Sequence, residues 1–374
     1  MSGVYVHIPF CKQACHYCNF HFSTSLRSKN EMLIALKQEI DLRKDYLGDT
    51  TLMSIYFGGG TPSLLEPDEI NSLIEHLSAY FTISPDAEIT LEANPDDLTP
   101  EKLKGLRQTP VNRLSIGVQS FSDADLKFMN RAHNAHDAVA CLKNALEAGF
   151  SNLSIDLIYG TPTLSKEQWQ ANLSTVIELN IPHISAYCLT VEPKTALQHF
   201  IEIGKVAPVD ELLSEKQFQI LTQTLAKYNY QHYEISNFCL PGYVAGHNSS
   251  YWTGKPYLGI GPSAHSFNGI SRQWNVSNNA QYLKSIAQSI IPFEIEVLSV
   301  DDRFNEYLMT TLRTSWGCKF EYILLNFGRN YLEHLRKGVE KYIISGKMSI
   351  ETETLYLLPH ARFTADAVIA DLFI

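Results

Sequence analysis

Apolar and β-branched residues gather in short runs through the first half of the chain, at residues 4–8, 54–57, 88–93, 113–119, 153–159 and 183–189. Each run is too short for a helix and rich in strand formers, so the pattern predicts six strands. Successive runs are separated by segments long enough for a helix. Several of these carry start signals: Thr99-Pro100-Glu101, Ser122 with Asp125, and Ser165 with Gln168 as a capping box. Gly149 fits the position that closes a helix. Strands that alternate with helices run parallel, because a parallel neighbour needs a long crossover, and right-handed crossovers curl the sheet one way. The predicted fold is therefore α/β, an open or partial barrel of six βα units, with ligands expected at the carboxyl ends of the strands.

That rim can be read directly. A cysteine-rich loop follows the first predicted strand and Gly58-Gly59-Gly60-Thr61-Pro62 the second; Glu92 ends the third, Gln119 the fourth, and Asp156 lies near the end of the fifth. Beyond about residue 195 the alternation weakens, and a polar, aromatic and Gly-rich stretch from Glu234 to Asn275 reads as a connection to a separate tail. We expect three units: residues 1–195 as the partial barrel, 196–290 as its extension, and 291–374 as a C-terminal unit. The last reads as helices followed by strands at 348–350 and 354–358 and a short final helix, an α+β arrangement similar to a winged helix. Folds of that shape often bind DNA. From Asp301 onward, however, nine Lys+Arg face ten Asp+Glu, and the whole chain of 374 residues has a net charge of −10. A phosphate backbone would be repelled, so no nucleic-acid partner is expected.

Apolar residues make up 45% of the chain, enough for a sizeable core, yet no stretch approaches the roughly 20 apolar residues a membrane helix needs. The start has no charged segment leading into an apolar run, so a cytoplasmic protein is expected. Seven cysteines are distributed unevenly: Cys11, Cys15 and Cys18 fall within eight residues, while the other four are scattered singly. A disulfide framework does not give that pattern. Three thiolates spaced C-x3-C-x2-C on one loop can hold three corners of an iron–sulfur cube whose fourth iron stays open. The alternative is structural zinc, with His16 or His21 as fourth ligand.

With an aromatic residue before the third cysteine, Cys11-Lys-Gln-Ala-Cys15-His-Tyr-Cys18 resembles the signature of the radical S-adenosylmethionine (SAM) enzymes. The resemblance implies a partial (β/α)6 barrel, a [4Fe–4S] cluster on Cys11, Cys15 and Cys18, SAM chelated on the open iron, and an electron donor. It also implies that Gly59, Gly60 and Thr61 approach the methionyl end of SAM and that Glu92 lies near its amino group. Gln119, Arg131 and Asp156 match contacts to its carboxylate and ribose, and Tyr5 and Tyr17 match aromatic positions beside the cofactor.

Tyr5-Val-His-Ile-Pro-Phe-Cys11, Glu92-Ala-Asn-Pro95 and Ser115-Ile-Gly-Val-Gln-Ser-Phe121 are similar to the oxygen-independent coproporphyrinogen III oxidase group, which holds both that oxidase and the HemW-type haem chaperones. The oxidase motif continues to a nearby fourth cysteine, where this chain has Phe20, and its extended N-terminal segment is expected to be missing here because the first strand begins by about residue 4. His247-Asn-Ser-Ser-Tyr251-Trp252 matches the H-N-x-x-Y-W motif of the chaperones. That resemblance implies haem bound through His247 to iron, with Tyr251 and Trp252 packed on the macrocycle, transfer to haem-acceptor proteins, and a transient membrane-protein contact. His265, in Gly259-Ile-Gly-Pro-Ser-Ala-His265, is a second candidate ligand, while His7, His16 and His21 are expected to pack or hydrogen-bond locally.

Overall fold

A computed structural model describes residues 2–374. Strands β1 (Ser2–Ile8), β2 (Thr51–Gly59), β3 (Thr82–Ala93), β4 (Arg113–Gln119), β5 (Leu153–Tyr159) and β6 (His183–Cys188) lie side by side in chain order, each parallel to the next. Helices cover the sheet, so the strands are apolar along most of their length rather than alternating; every residue of β4 is buried. Val4, Val6, Ile55, Phe57, Leu91, Ile116, Ile155 and Ile184 form part of one continuous core.

Both edges of the six-stranded unit are extended. β7 (Gln231–Glu234) and β8 (Asn237–Cys239) form a hairpin that pairs antiparallel with β6. On the other side β9 (Tyr257–Ile260) runs parallel to β1, followed antiparallel by β10 (His265–Phe267), β11 (Ser271–Asn275) and β12 (Phe293–Val297). The polar stretch expected to be a connection therefore supplies strands β8 to β11 to the sheet as well as the helix Gly246–Trp252, and β12 joins this sheet although it lies past residue 290. Strands of three to five residues are shorter than the alternation needed to reveal them, and β9 and β10 sit among glycines that read as turns.

The helix signals mostly hold. The Thr99 hydroxyl accepts the Lys102 N–H, Ser165 and Gln168 form a reciprocal capping box, and Gly149 takes a φ of 92°. Ser122 precedes a helix, Asp123–Phe128, but its side chain makes no cap bond. Its expected partner Asp125 points inward instead, fully buried, and accepts hydrogen bonds from Ser120, Thr161 and Thr163.

The C-terminal elements comprise helices Val300–Thr311, Phe320–Asn326, Arg329–Ile344 and Ala365–Ala370 with a sheet of β13 (Cys318–Lys319), β14 (Met348–Glu351) and β15 (Thr354–Leu357). Helices followed by a β14–β15 hairpin make the winged-helix-like α+β arrangement, with its own core of Phe304, Leu308, Ile323, Leu335, Leu355 and Val368. It is tied to β7 by Ser315 N–H to the Tyr233 carbonyl (2.9 Å) and Arg362 Nη1 to the His232 carbonyl (2.7 Å). Among the described residues no helix is long and apolar enough to cross a membrane.

Candidate functional site

The three cysteines stand on the loop that leaves β1, and that loop is pinned at its ends and along its length. Cys11 N–H donates to the Ser23 carbonyl (3.0 Å) and Ser23 N–H to the Pro9 carbonyl (2.9 Å). Further along, His16 N–H reaches the Met129 carbonyl (3.1 Å), Asn130 Nδ2 the Ala14 carbonyl (2.7 Å), and Gln13 Nε2 the Asn130 carbonyl (2.7 Å). The backbone is thus fixed while the thiols stay half-buried. Thr61 Oγ1 donates to Cys11 Sγ at 3.4 Å and Arg131 Nη1 to Cys15 Sγ at 3.3 Å. Burial pushes the Cys11 thiol up to about 11, so ionising the cluster of thiols calls for the positive charge of Arg131 and of a bound metal.

All three cysteines face a cavity of about 450 Å³ at the carboxyl ends of the strands, and its walls include Tyr17, Gly59, Gly60, Thr61, Glu92, Gln119, Arg131 and Asp156. Residues spread over 146 positions of sequence are brought together by parallel strands that all end on one rim. Tyr5 departs from the group: its ring lines a neighbouring cavity. Glycine is required at two of these positions. Gly59 has a φ of 110° and a Cβ there would lie 2.6 Å from the His7 ring, while a Cβ on Gly60 would meet the Phe10 carbonyl oxygen at 2.5 Å.

Enclosure shapes the charges. Glu92 accepts the Tyr56 hydroxyl at 2.7 Å, yet burial pushes its carboxyl up to about 7; burial likewise pushes Asp156 up to about 6. Gln119 holds a φ of 66°, a left-handed conformation that is strained for a side chain of its size and is found at functional sites. Arg131 gives Nη2 to Asn94 Oδ1 (2.5 Å) and the Gly117 carbonyl (2.8 Å), while its buried Nε has no partner. Three soft sulfur donors, an unused guanidinium N–H and two half-buried carboxyls fit a thiolate-ligated iron–sulfur group beside a small zwitterion bearing a carboxylate and an amine. Neither His16 nor His21 lines this cavity. His16 bonds the Phe128 carbonyl and stands edge-on to Phe200, and His21 bonds Asn279.

A larger cavity, about 730 Å³, opens beside the first and shares Asn19, Phe20, Phe22, Gly59 and Glu92 with it. Tyr5, His7, His21, Tyr251, Tyr257 and His265 are among its other walls. The Tyr251 and Tyr257 rings meet edge to face at 4.6 Å, and Phe20 is 70% exposed at the mouth.

Helix Gly246–Trp252 carries the H-N-x-x-Y-W residues, and its first turn is held by Glu88, whose carboxylate accepts the N–H groups of Gly246 (2.8 Å) and His247 (2.9 Å). His247 is 1% exposed. Its Nδ1 pairs with Ser54 Oγ and its Nε2 with the Tyr251 hydroxyl, both at 2.8 Å, and its ring stacks on Tyr56 at 4.9 Å. Gly3 makes the room: a Cβ there would lie 3.3 Å from His247 Nδ1. Burial pulls its pKa down to about 3, so the imidazole stays neutral. As it stands His247 offers iron no free ring nitrogen, contrary to the sequence expectation, because Nδ1 is engaged by Ser54 and Nε2 by the hydroxyl of Tyr251, which it holds against the cavity. Trp252 also departs from expectation, lying under the Arg313 guanidinium at 5.4 Å rather than in the cavity wall.

Tyr56, Glu88 and Asn94 were not singled out from the sequence. Asn94 sits inside the Glu92-Ala-Asn-Pro95 motif, and Tyr56 shares a β2 face with Ser54, signals that could have found both. Glu88 lies 158 residues from the helix it caps, and only the fold reveals it.

The Radical SAM superfamily model matches residues 5–176, the span that holds the cysteine loop and the rim from Gly59 to Asp156. Fold and site together define a radical SAM protein, a family that implies a [4Fe–4S] cluster and SAM. The heme chaperone HemW of Mycobacterium tuberculosis is 32% identical over 375 residues, covering 99% of this chain and 94% of that protein. HemW of Bacillus subtilis is 32% identical over 363 residues, covering 96% of each. The chain belongs to the HemW family. Among solved structures, coproporphyrinogen III oxidase (HemN) of Escherichia coli, a radical SAM enzyme, matches 100% of this chain and 90% of its own at a TM-score of 0.86 and 25% identity.

Proposed function

We propose that this protein is a haem chaperone, binding haem in the larger cavity and passing it to acceptor proteins. The observation that carries the reading is the cavity itself: about 730 Å³, walled by Phe20, Phe22, Tyr251 and Tyr257 with imidazoles among them. Apolar rings suit the faces of a macrocycle and an imidazole suits its iron. The HemW proteins, similar over nearly their whole length, support the same reading.

In this account Cys11, Cys15 and Cys18 hold the [4Fe–4S] cluster and the smaller cavity holds SAM. When bound, the pair supplies one-electron chemistry, fed by an electron donor. Arg131, through its unpaired Nε, and Gln119 and Asp156 receive the carboxylate and ribose of SAM; Glu92 receives its ammonium group. Gly59 and Gly60 leave room for close approach, Thr61 supports Cys11, and Tyr17 covers the cofactor. Tyr5 serves the haem side instead. The division of labour follows the chain in part: residues 1–195 carry cluster and SAM and much of the haem wall, 196–290 complete that wall with Tyr251, Tyr257 and His265, and 291–374 present a surface to an acceptor, including one at a membrane.

The test is transfer. Haem-loaded protein, with its cluster reconstituted under anaerobic conditions, is mixed with a haem-free acceptor haemoprotein, and loss of haem from one is followed as gain by the other. Transfer is expected. The likeness to HemN favours one rival, porphyrinogen decarboxylation, and carbon dioxide release coupled to SAM cleavage without haem transfer would establish that reading instead.

A further inference from the structure

Haem ligation through a histidine requires a ring nitrogen with a free lone pair at the cavity wall. His7 has none to spare: Nε2 is bonded to the His21 carbonyl at 2.9 Å and Nδ1 to the Tyr5 hydroxyl at 3.2 Å. His21 also lines the cavity but commits Nε2 to Asn279 at 2.7 Å, which leaves it Nδ1 alone, and His247 lies behind the wall with both nitrogens engaged. His265 is different. It lines the cavity, is open to solvent, and among the described residues neither ring nitrogen has a hydrogen-bond partner; its ring contact is a stacked approach to Trp274, with centroids 6.0 Å apart.

The position of His265 is built rather than incidental. It begins β10, and β10 lies so close to β9 that a Cβ on Gly259 would fall 2.0 Å from the His265 carbonyl oxygen. The turn between the strands is anchored by the buried carboxylate of Glu39, which accepts Gly261 N–H and Asn275 Nδ2, each at 2.7 Å, and the Tyr282 hydroxyl at 2.6 Å. Asn275 in turn donates its backbone N–H to the Ala264 carbonyl, the residue before His265. A rigid arm with an unpaired imidazole at its end, backed by an indole and facing an aromatic cavity, is the kind of support a ligand side chain needs.

We propose that His265 is the axial ligand to the iron of bound haem, and that His247 is a positioning residue that holds Tyr251 against the macrocycle. This rests on the haem reading above. On binding, a neutral imidazole nitrogen of His265 gives its lone pair to the iron and a water molecule leaves; no electron is transferred. Partial burial, followed by the Arg272 charge, lowers the pKa of His265, the direction that favours the neutral imidazole. Tyr251 and Tyr257 pack on the macrocycle, and it covers Phe20.

The test is a haemin titration of the full-length, cluster-reconstituted protein, read by visible absorption and by low-temperature EPR of the ferric haem. The wild type is expected to show a nitrogen-ligated ferric haem. His265→Ala moves the Soret band and the EPR g values and weakens binding by roughly tenfold or more, and added imidazole restores the wild-type spectrum. His247→Gln keeps the wild-type ligand signature. If His265→Ala leaves band and g values unchanged while a His247 or His21 variant abolishes them, the assignment is overturned and the haem reading stands. If the wild type binds no haemin, the haem reading falls and the assignment with it.

Discussion

Arg131 and Glu92 carry the sharpest expectations about single side chains. Arg131 touches Cys15 with one terminal nitrogen, is fixed by Asn94 and Gly117 with the other, and keeps Nε free. Lysine cannot reproduce that fork, so Arg131→Lys as well as Arg131→Met is expected to weaken SAM binding by roughly tenfold or more, measured by equilibrium dialysis on cluster-loaded protein. A carboxyl whose pKa is raised on folding stabilises the fold below its unfolded value and loses that contribution as pH rises through the folded value. For Glu92 that window runs from 4.5 to about 7. Without ligands, Glu92→Gln is therefore expected to become increasingly more stable than wild type between pH 5 and pH 8, by up to on the order of 3 kcal/mol, read from urea unfolding. SAM affinity runs the other way, tightening in the wild type over the same interval as the anion forms and remaining weak in the variant.

Two local pieces of backbone set where these groups stand. The turn after β2 brings Gly60 against the Phe10 carbonyl, and Gly60→Ala is expected to shift Thr61 and Cys11 and lower iron bound per chain after reconstitution, with a stability loss of about 1–3 kcal/mol. Helix Gly246–Trp252 relies on Glu88, since removing that carboxylate leaves two N–H groups uncapped and Arg113 without its ion-pair partner at 3.9 Å. Glu88→Ala is expected to cost about 1–2 kcal/mol and to weaken haemin binding through a displaced Tyr251.

The contrast between the two pieces shows what the sequence makes legible. The glycine turn and the cysteine loop are contiguous motifs next to a strand, and the six parallel strands repeat a pattern long enough to recognise, so both could be read in advance. The second cavity could not, because its walls come from β1, the ends of β2 and β3, the cysteine loop, helix Gly246–Trp252, the short strands β9 and β10, and the turns beside them. A motif such as His247 to Trp252 shows which residues matter without showing which way each one faces. Here His247 turns inward to Ser54, Trp252 outward to Arg313, and only Tyr251 reaches the cavity.

The sheet and the C-terminal core meet around Arg313, which lies over Trp252, pairs with Asp366 and stands 3.6 Å from the buried carboxylate of Glu234. Arg313→Ala is expected to loosen the junction, raising hydrogen exchange in helices Val300–Thr311 and Ala365–Ala370 while leaving the strands β1 to β6 protected. The two cavities share a wall at Phe20, Phe22, Gly59 and Glu92, so the proposed cluster, SAM and haem positions would form one continuous site rather than lie in separate halves of the molecule. Stoichiometric haemin titration of the anaerobically reconstituted protein, with iron, sulfide and haem quantified on the same sample, tests that central claim most directly. The account predicts saturation at one haem per chain with the [4Fe–4S] cluster intact. Haemin binding that does not saturate, or that proceeds only as the cluster is lost, would contradict it.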